Sequence, residues 1–67
     1  MKNILTKREK EIFDLLVLNY STKKIAFYLG ISEKTVRNHI SNVIQKLSVS
    51  SRSQALIELI RLHEISI

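Results

Sequence analysis

The chain has no cysteine, no proline, no tryptophan and a single glycine among its 67 residues. Without thiols it has neither a disulfide framework nor a thiolate metal site to supplement a small core. One glycine and no proline leave few breakers for a fold of many tight turns, so helices are favoured over a small β-barrel. Acids are scarce as well: six against eleven lysines and arginines, with Asp14 the one aspartate. No apolar run approaches the ~18 residues of a membrane span, and the start, MKNILTKREKE, has no apolar signal core. The protein is expected to stay in the cytoplasm where it is made. No enzyme is expected, because there is no plausible Ser-His or Cys-His arrangement, no glycine-rich phosphate loop and no room for a substrate pocket. His39 and His63 are far apart and lack metal-ligand spacing, so neither a metal nor a cofactor is expected.

What is present is globular: 45% hydrophobic and 25% charged residues, enough apolar side chain for one core but not for disorder. A chain of this length makes one domain, taken as 1–67, and is marginally stable on its own. The net charge of +5 and a pI near 9.9 favour a polyanionic partner, nucleic acid first and an anionic membrane surface second.

Four stretches carry helical periodicity behind a hydroxyl cap. Thr6 with Glu9 forms the S/T-x-x-E box, and Ile12, Leu15 and Leu16 follow at helical spacing, predicting a helix over 7–19. Ser21 caps the second helix, with Tyr20 and Ile25 at staple positions, and Gly30 stands where a left-handed residue ends it. Ser32 caps the third, over 33–47, with Ile31 and Val36 repeating the staple. Only Gly30, Ile31 and Ser32 separate the two, the spacing of a helix-turn-helix. Ser51 and Gln54 cap a fourth helix over 52–63. The expectation is an all-α, four-helix domain with a central helix-turn-helix.

The third helix, ISEKTVRNHISNVIQKL with its cap, is two-faced. At ~100° per residue Val36, Ile40, Val43 and Leu47 form one stripe, with Ile44 at its edge. Lys34, Arg37, Asn38, Ser41 and Gln45 lie opposite, with Asn42 beside them. Its one acid, Glu33, sits at the helix start where the dipole favours it. Arginine donates two hydrogen bonds to guanine, asparagine or glutamine pairs with adenine, and serine serves either. A solvated face usually mixes signs; this one does not.

TKREKEIFDLL, STKKIAFYLGISEKTVRNHISNVIQKLSV and RSQALIELI, in that order, resemble the DNA-binding domain of LuxR/GerE-type transcriptional regulators over about residues 5–62. The T-x-R-E start, the S/T-x-x-x-I-A helix, the I-S-x-x-T-V-[KR]-x-H block and the K-L-x-V-x-x-R-x-[QE]-A block are all present. The likeness is to small stand-alone GerE-like regulators, with no receiver or ligand-binding domain expected before it. Lys24 stands where the family often has glutamate. The resemblance implies a bacterial, nucleoid-associated regulator of transcription whose third helix enters the major groove of double-stranded DNA. Arg37, Asn38, Ser41 and Lys34 are then the expected base contacts. Thr22, Lys23, Lys24, Thr35, Asn42, Gln45 and Lys46 are the expected backbone contacts. Glu9 reads as a cap, His39 as a packing residue and His63 as a helix end. Arg52 could join the fourth helix to the DNA backbone or to the first helices.

Along the fourth helix, apolar residues spread over an arc of roughly 220°, more than the ~100° one core contact needs, and Ile65 and Ile67 add to the excess. Leu56, Ile57 and Ile60 are the expected contacts of a homodimer, the use the family makes of this helix. Two copies would set two recognition helices about one DNA turn (~34 Å) apart. RNA polymerase is a further candidate partner; no small-molecule substrate or membrane is expected. The competing readings are a helical module that docks on the transcription machinery without reading DNA, and a membrane-surface protein.

Overall fold

In the computed structural model, which describes residues 4–67, every helix opens on a hydroxyl. The first three residues of the expected 1–67 domain lie outside the described part. Thr6, Ser21, Ser32 and Ser51 adopt extended backbone, and their side-chain oxygens accept from the N–H groups of Glu9, Lys24, Thr35 and Gln54. They start α1 (Lys7–Val17), α2 (Thr22–Leu29), α3 (Glu33–Leu47) and α4 (Arg52–Arg61). Each such cap contributes about 1 kcal/mol. The described residues are all-α, with α2 and α3 as the helix-turn-helix. The reciprocal half of the box forms in α1, where the Thr6 N–H donates to Glu9 Oε1 at 2.9 Å. In α4 it shifts by one residue: Gln54 Oε1 accepts from the N–H and hydroxyl of Ser50, not of Ser51.

Helix ends depart more from expectation. Asn19, Gly30, Ser48 and His63 all have positive φ, between 56° and 70°. In each case two backbone bonds close the last turn, as with Asn19 N–H to Leu16 O and Tyr20 N–H to Leu15 O. This left-handed closure satisfies carbonyls that would otherwise face nothing. It stops α1 at Val17, not residue 19, and α4 at Arg61, not residue 63. The closure at His63 also turns the chain back, so that Ile65, expected among the exposed excess, is buried at 4%.

The core is built on α3, which packs against all three other helices. Val36 and Val43 of α3 are fully buried with Ile12 and Phe13 of α1, Ile25 of α2 and Leu59 of α4. Leu5 and Ile65 close it from the two ends. Burying one such aliphatic side chain contributes roughly 1.5–3 kcal/mol, so both terminal segments matter to a domain this small.

A polar strut ties α1 to α3. Glu9, expected only as a cap, is 4% exposed. Lys46 Nζ lies 2.6 Å from Glu9 Oε1 and 3.0 Å from the carbonyl oxygen of Ile4. Lys46, expected at a DNA phosphate, also reaches α1 with its ammonium. The helical wheel explains this, since Lys46 stands about 80° from Val36 at ~100° per residue, at the edge of the buried stripe. Burial acts to raise the Glu9 carboxyl, but the hydrogen bonds from Lys46 and Thr6 and the Lys46 charge outweigh it and hold the group below its ordinary 4.5.

Candidate nucleic-acid interface

Because Val36, Ile40 and Val43 anchor one side of α3, the opposite side is presented to solvent by geometry alone. Lys34, Arg37, Asn38, Ser41, Asn42 and Gln45 are all exposed, whereas Thr35 and His39 are half-buried. The Thr35 hydroxyl lies 2.9 Å from Ser32 Oγ, which ties it into the cap at the start of the helix. Arg37 Nη1 is 3.5 Å from Glu33 Oε1, with both side chains well exposed. That contact is long and weak, so Arg37 can leave it for a better-placed acceptor. Glu33 thus does more than complement the helix dipole: it is the resting partner of the central arginine.

Exposed cations stand at the starts of α2 and α4. At the start of α2, Lys23 and Lys24 are exposed and Thr22 is half-buried. The first amides of a helix have no partner within it, and Ser21 Oγ covers only that of Lys24. This is the arrangement in which a helix start receives a phosphate. At the start of α4 Arg52, which the sequence left between two roles, lines a cleft of about 230 Å³ with Arg37, Ile40, Ser41 and Ile44. Arg52 therefore belongs beside the polar face of α3. Its position one residue after the Ser51 cap was the available signal.

The expected dimer residues are not equivalent. Leu56 and Ile60 are half-buried and pack against the core. Ile57 is 65% exposed, with Leu62 partly exposed beyond it. The apolar excess on α4 is thus narrower than its wheel suggests.

A polar recognition face held across a three-residue turn from a second capped helix, with exposed cations at the starts of α2 and α4, defines a helix-turn-helix DNA-binding domain. The chain belongs to the family described as bacterial regulatory proteins, luxR family, which matches residues 3–59. It is similar to the spore germination protein GerE of Bacillus subtilis (strain 168), with 61% identity over 66 residues, covering 98% of this chain and 89% of that one. It is also 49% identical over 59 residues to the transcriptional regulatory protein DegU of Brevibacillus brevis, spanning 88% of this chain but only 25% of DegU. A solved structure of the transcription factor GerE matches with a TM-score of 0.94, 68% identity and 97% coverage of both chains. The chain is a sequence-specific DNA-binding regulator of transcription. Among the described residues no helix is long and apolar enough to cross a membrane.

Proposed function

We infer that α3 lies in the major groove and reads base edges with Arg37, Asn38, Ser41 and Lys34. Arg37 takes guanine, and the amide of Asn38 suits adenine. Thr22, Lys23 and Lys24 meet one phosphate strand at the start of α2, with Thr35, Asn42 and Gln45 along α3 and Arg52 on the far side. The observation that carries this reading is the exposed arc from Lys34 to Gln45, which holds two cations and no acid where solvent alone would tolerate either sign.

Two copies bind together through α4, with Ile57 at the centre of a two-fold contact and Leu56 and Ile60 beside it. The domain's longest extent of 30 Å supports one copy per turn of DNA (~34 Å). The domain acts in the cytoplasm on the nucleoid, and from the DNA it reaches RNA polymerase.

Selection of bound sequences from a random duplex pool tests the reading directly. The expected product is a two-fold symmetric site with half-sites one turn apart. On that site Arg37→Ala lowers affinity by about 1–3 kcal/mol and relaxes base choice at one position per half-site. If the variant keeps native affinity and base preference, the assignment of α3 is wrong.

A further inference from the structure

The chain has two phenylalanines and two tyrosines, and only Phe13 is in the core. The other three gather on and beside α2. Ile25 and Ala26 bury the inner face of that helix, so its outer face carries Lys23, Lys24, Phe27 and Tyr28. Phe27 is 89% exposed and Tyr28 70%. The Lys24 ammonium stands 5.8 Å from the centre of the Tyr20 ring, and Tyr28 follows Lys24 by one helical turn. Ser21, Lys23, Lys24 and Phe27 line an open cleft of about 440 Å³. Single exposed apolar residues need no explanation. Here a small domain with little core leaves two neighbouring rings in water, next to cations, on a helix whose DNA contacts need neither ring.

We propose that the outer face of α2 is a docking site for an acidic protein segment, with an apolar side chain of that segment set against Phe27 and Tyr28 and its carboxylates on Lys24. α2 itself contains no acid, so the complementary surface is negative. A second copy of this chain does not fit, because a two-fold contact through this face would bring Lys23 and Lys24 against their own copies. A lipid surface fits less well. Membrane binding scales with buried apolar area, and an eight-residue helix whose inner face is committed to the core offers little. DNA and the segment share Lys24: because Lys23 and Lys24 diverge by ~100° around the helix, Thr22 and Lys23 keep the phosphate contact when the segment takes Lys24. The docking site does not depend on which bases α3 reads.

The test uses the ¹⁵N-labelled chain and three synthetic helical peptides: leucines at i, i+3 and i+7 in a glutamate background, the same leucines in a lysine background, and alanines in the glutamate background. The glutamate–leucine peptide is expected to shift the amides of residues 20–28 saturably, leaving those of α4 in place, while the other two peptides do not. Phe27→Ser and Tyr28→Ser should each weaken this binding by about tenfold, a loss of ~1.4 kcal/mol, with thermal melts and specific DNA affinity unchanged. The proposal is overturned if no acidic peptide shifts these amides. It is equally overturned if the lysine peptide binds as well, if the shifts fall on α3, or if the free chain shows concentration-dependent shifts at 20–28. Binding of phosphatidylglycerol vesicles through Phe27 in the absence of peptide binding would also reject it, in favour of a membrane.

Discussion

Replacing Lys46 by methionine tests how α3 is held in place. The substitution keeps the length of the side chain and removes its charge. Glu9 then keeps the Thr6 N–H but loses the ammonium at 2.6 Å, with its own side chain only 6% exposed. A hydrogen bond to a charged group contributes ~1.5–3 kcal/mol, and breaking a fully buried ion pair costs ~3–5 kcal/mol. Lys46 is 36% exposed, so solvent screening places the loss at the lower end, about 2 kcal/mol. Against a total stability of roughly 3–10 kcal/mol for a chain of this size, that is a large share. It corresponds to a fall in Tm of roughly 8–16 °C, measurable by urea and thermal denaturation followed by circular dichroism. The pH dependence identifies the cause. In the native chain the Glu9 carboxyl lies below its ordinary 4.5, so its contribution is present above that value and is lost as pH falls through the folded pKa. In Lys46→Met the carboxyl loses the Lys46 hydrogen bond and charge that lowered it and rises relative to the native chain, so acidification costs the variant less. The gap between the two proteins should therefore be widest at neutral pH and narrow as pH falls below 4.5 through the folded pKa of Glu9. A gap under ~0.5 kcal/mol at pH 7, or one that persists undiminished at pH 3, would falsify the strut. The salt dependence of DNA binding separates strut from phosphate contact: its slope stays unchanged for a strut and drops by about 1 for a phosphate contact.

Ser48→Gly should stabilise the domain by roughly 0.5–1 kcal/mol, because serine there holds a left-handed backbone that glycine adopts without steric cost; an unchanged or lower urea midpoint would count against this. Ile57→Ser should leave monomer stability within ~0.5 kcal/mol while abolishing cooperative occupation of paired half-sites in a gel-shift titration, and retained cooperativity would remove α4 as the dimer contact. Glu33→Gln should raise affinity for random duplex several-fold by freeing Arg37 and removing a negative charge beside the groove, with fluorescence anisotropy at two salt concentrations as the readout. Equal affinities for native and variant protein would show that Glu33 does not restrain Arg37.

The helix starts were legible because a cap is a local event: a hydroxyl and an amide three residues on are enough, and four serines and threonines supply them. Helix ends were legible at Gly30 and at Leu47, where the apolar periodicity stops, but not for α1 and α4. Asn19, Ser48 and His63 tolerate a left-handed backbone but do not require one, and tertiary packing decides where each helix closes. The same limit hid Ile65, which enters the core only after the reversal at His63. The polar arc of α3 could be read because one helix carries all of it. The strut could not, since Glu9 and Lys46 are 37 residues apart and meet only once α1 has docked on α3. Phe27 and Tyr28 fall on the outer face of α2 by periodicity alone. What the sequence did not reveal is that no other element among the described residues folds over them.

The pairing of Glu33 with Arg37 bears on how the protein searches DNA. Away from its site α3 presents a pair of opposite charges in its first turns, Glu33 and Arg37, not a bare guanidinium. A passing phosphate offers Arg37 one acceptor in exchange for another of similar strength and leaves Glu33 facing a negative wall. A guanine offers two acceptors at fixed spacing deep in the groove, where the exchange is favourable. If Arg37 reads guanine as proposed, the carboxylate shortens residence on wrong sequences more than on right ones. On that reading, speed of scanning and fidelity of stopping are linked through a single side chain one helical turn before the arginine.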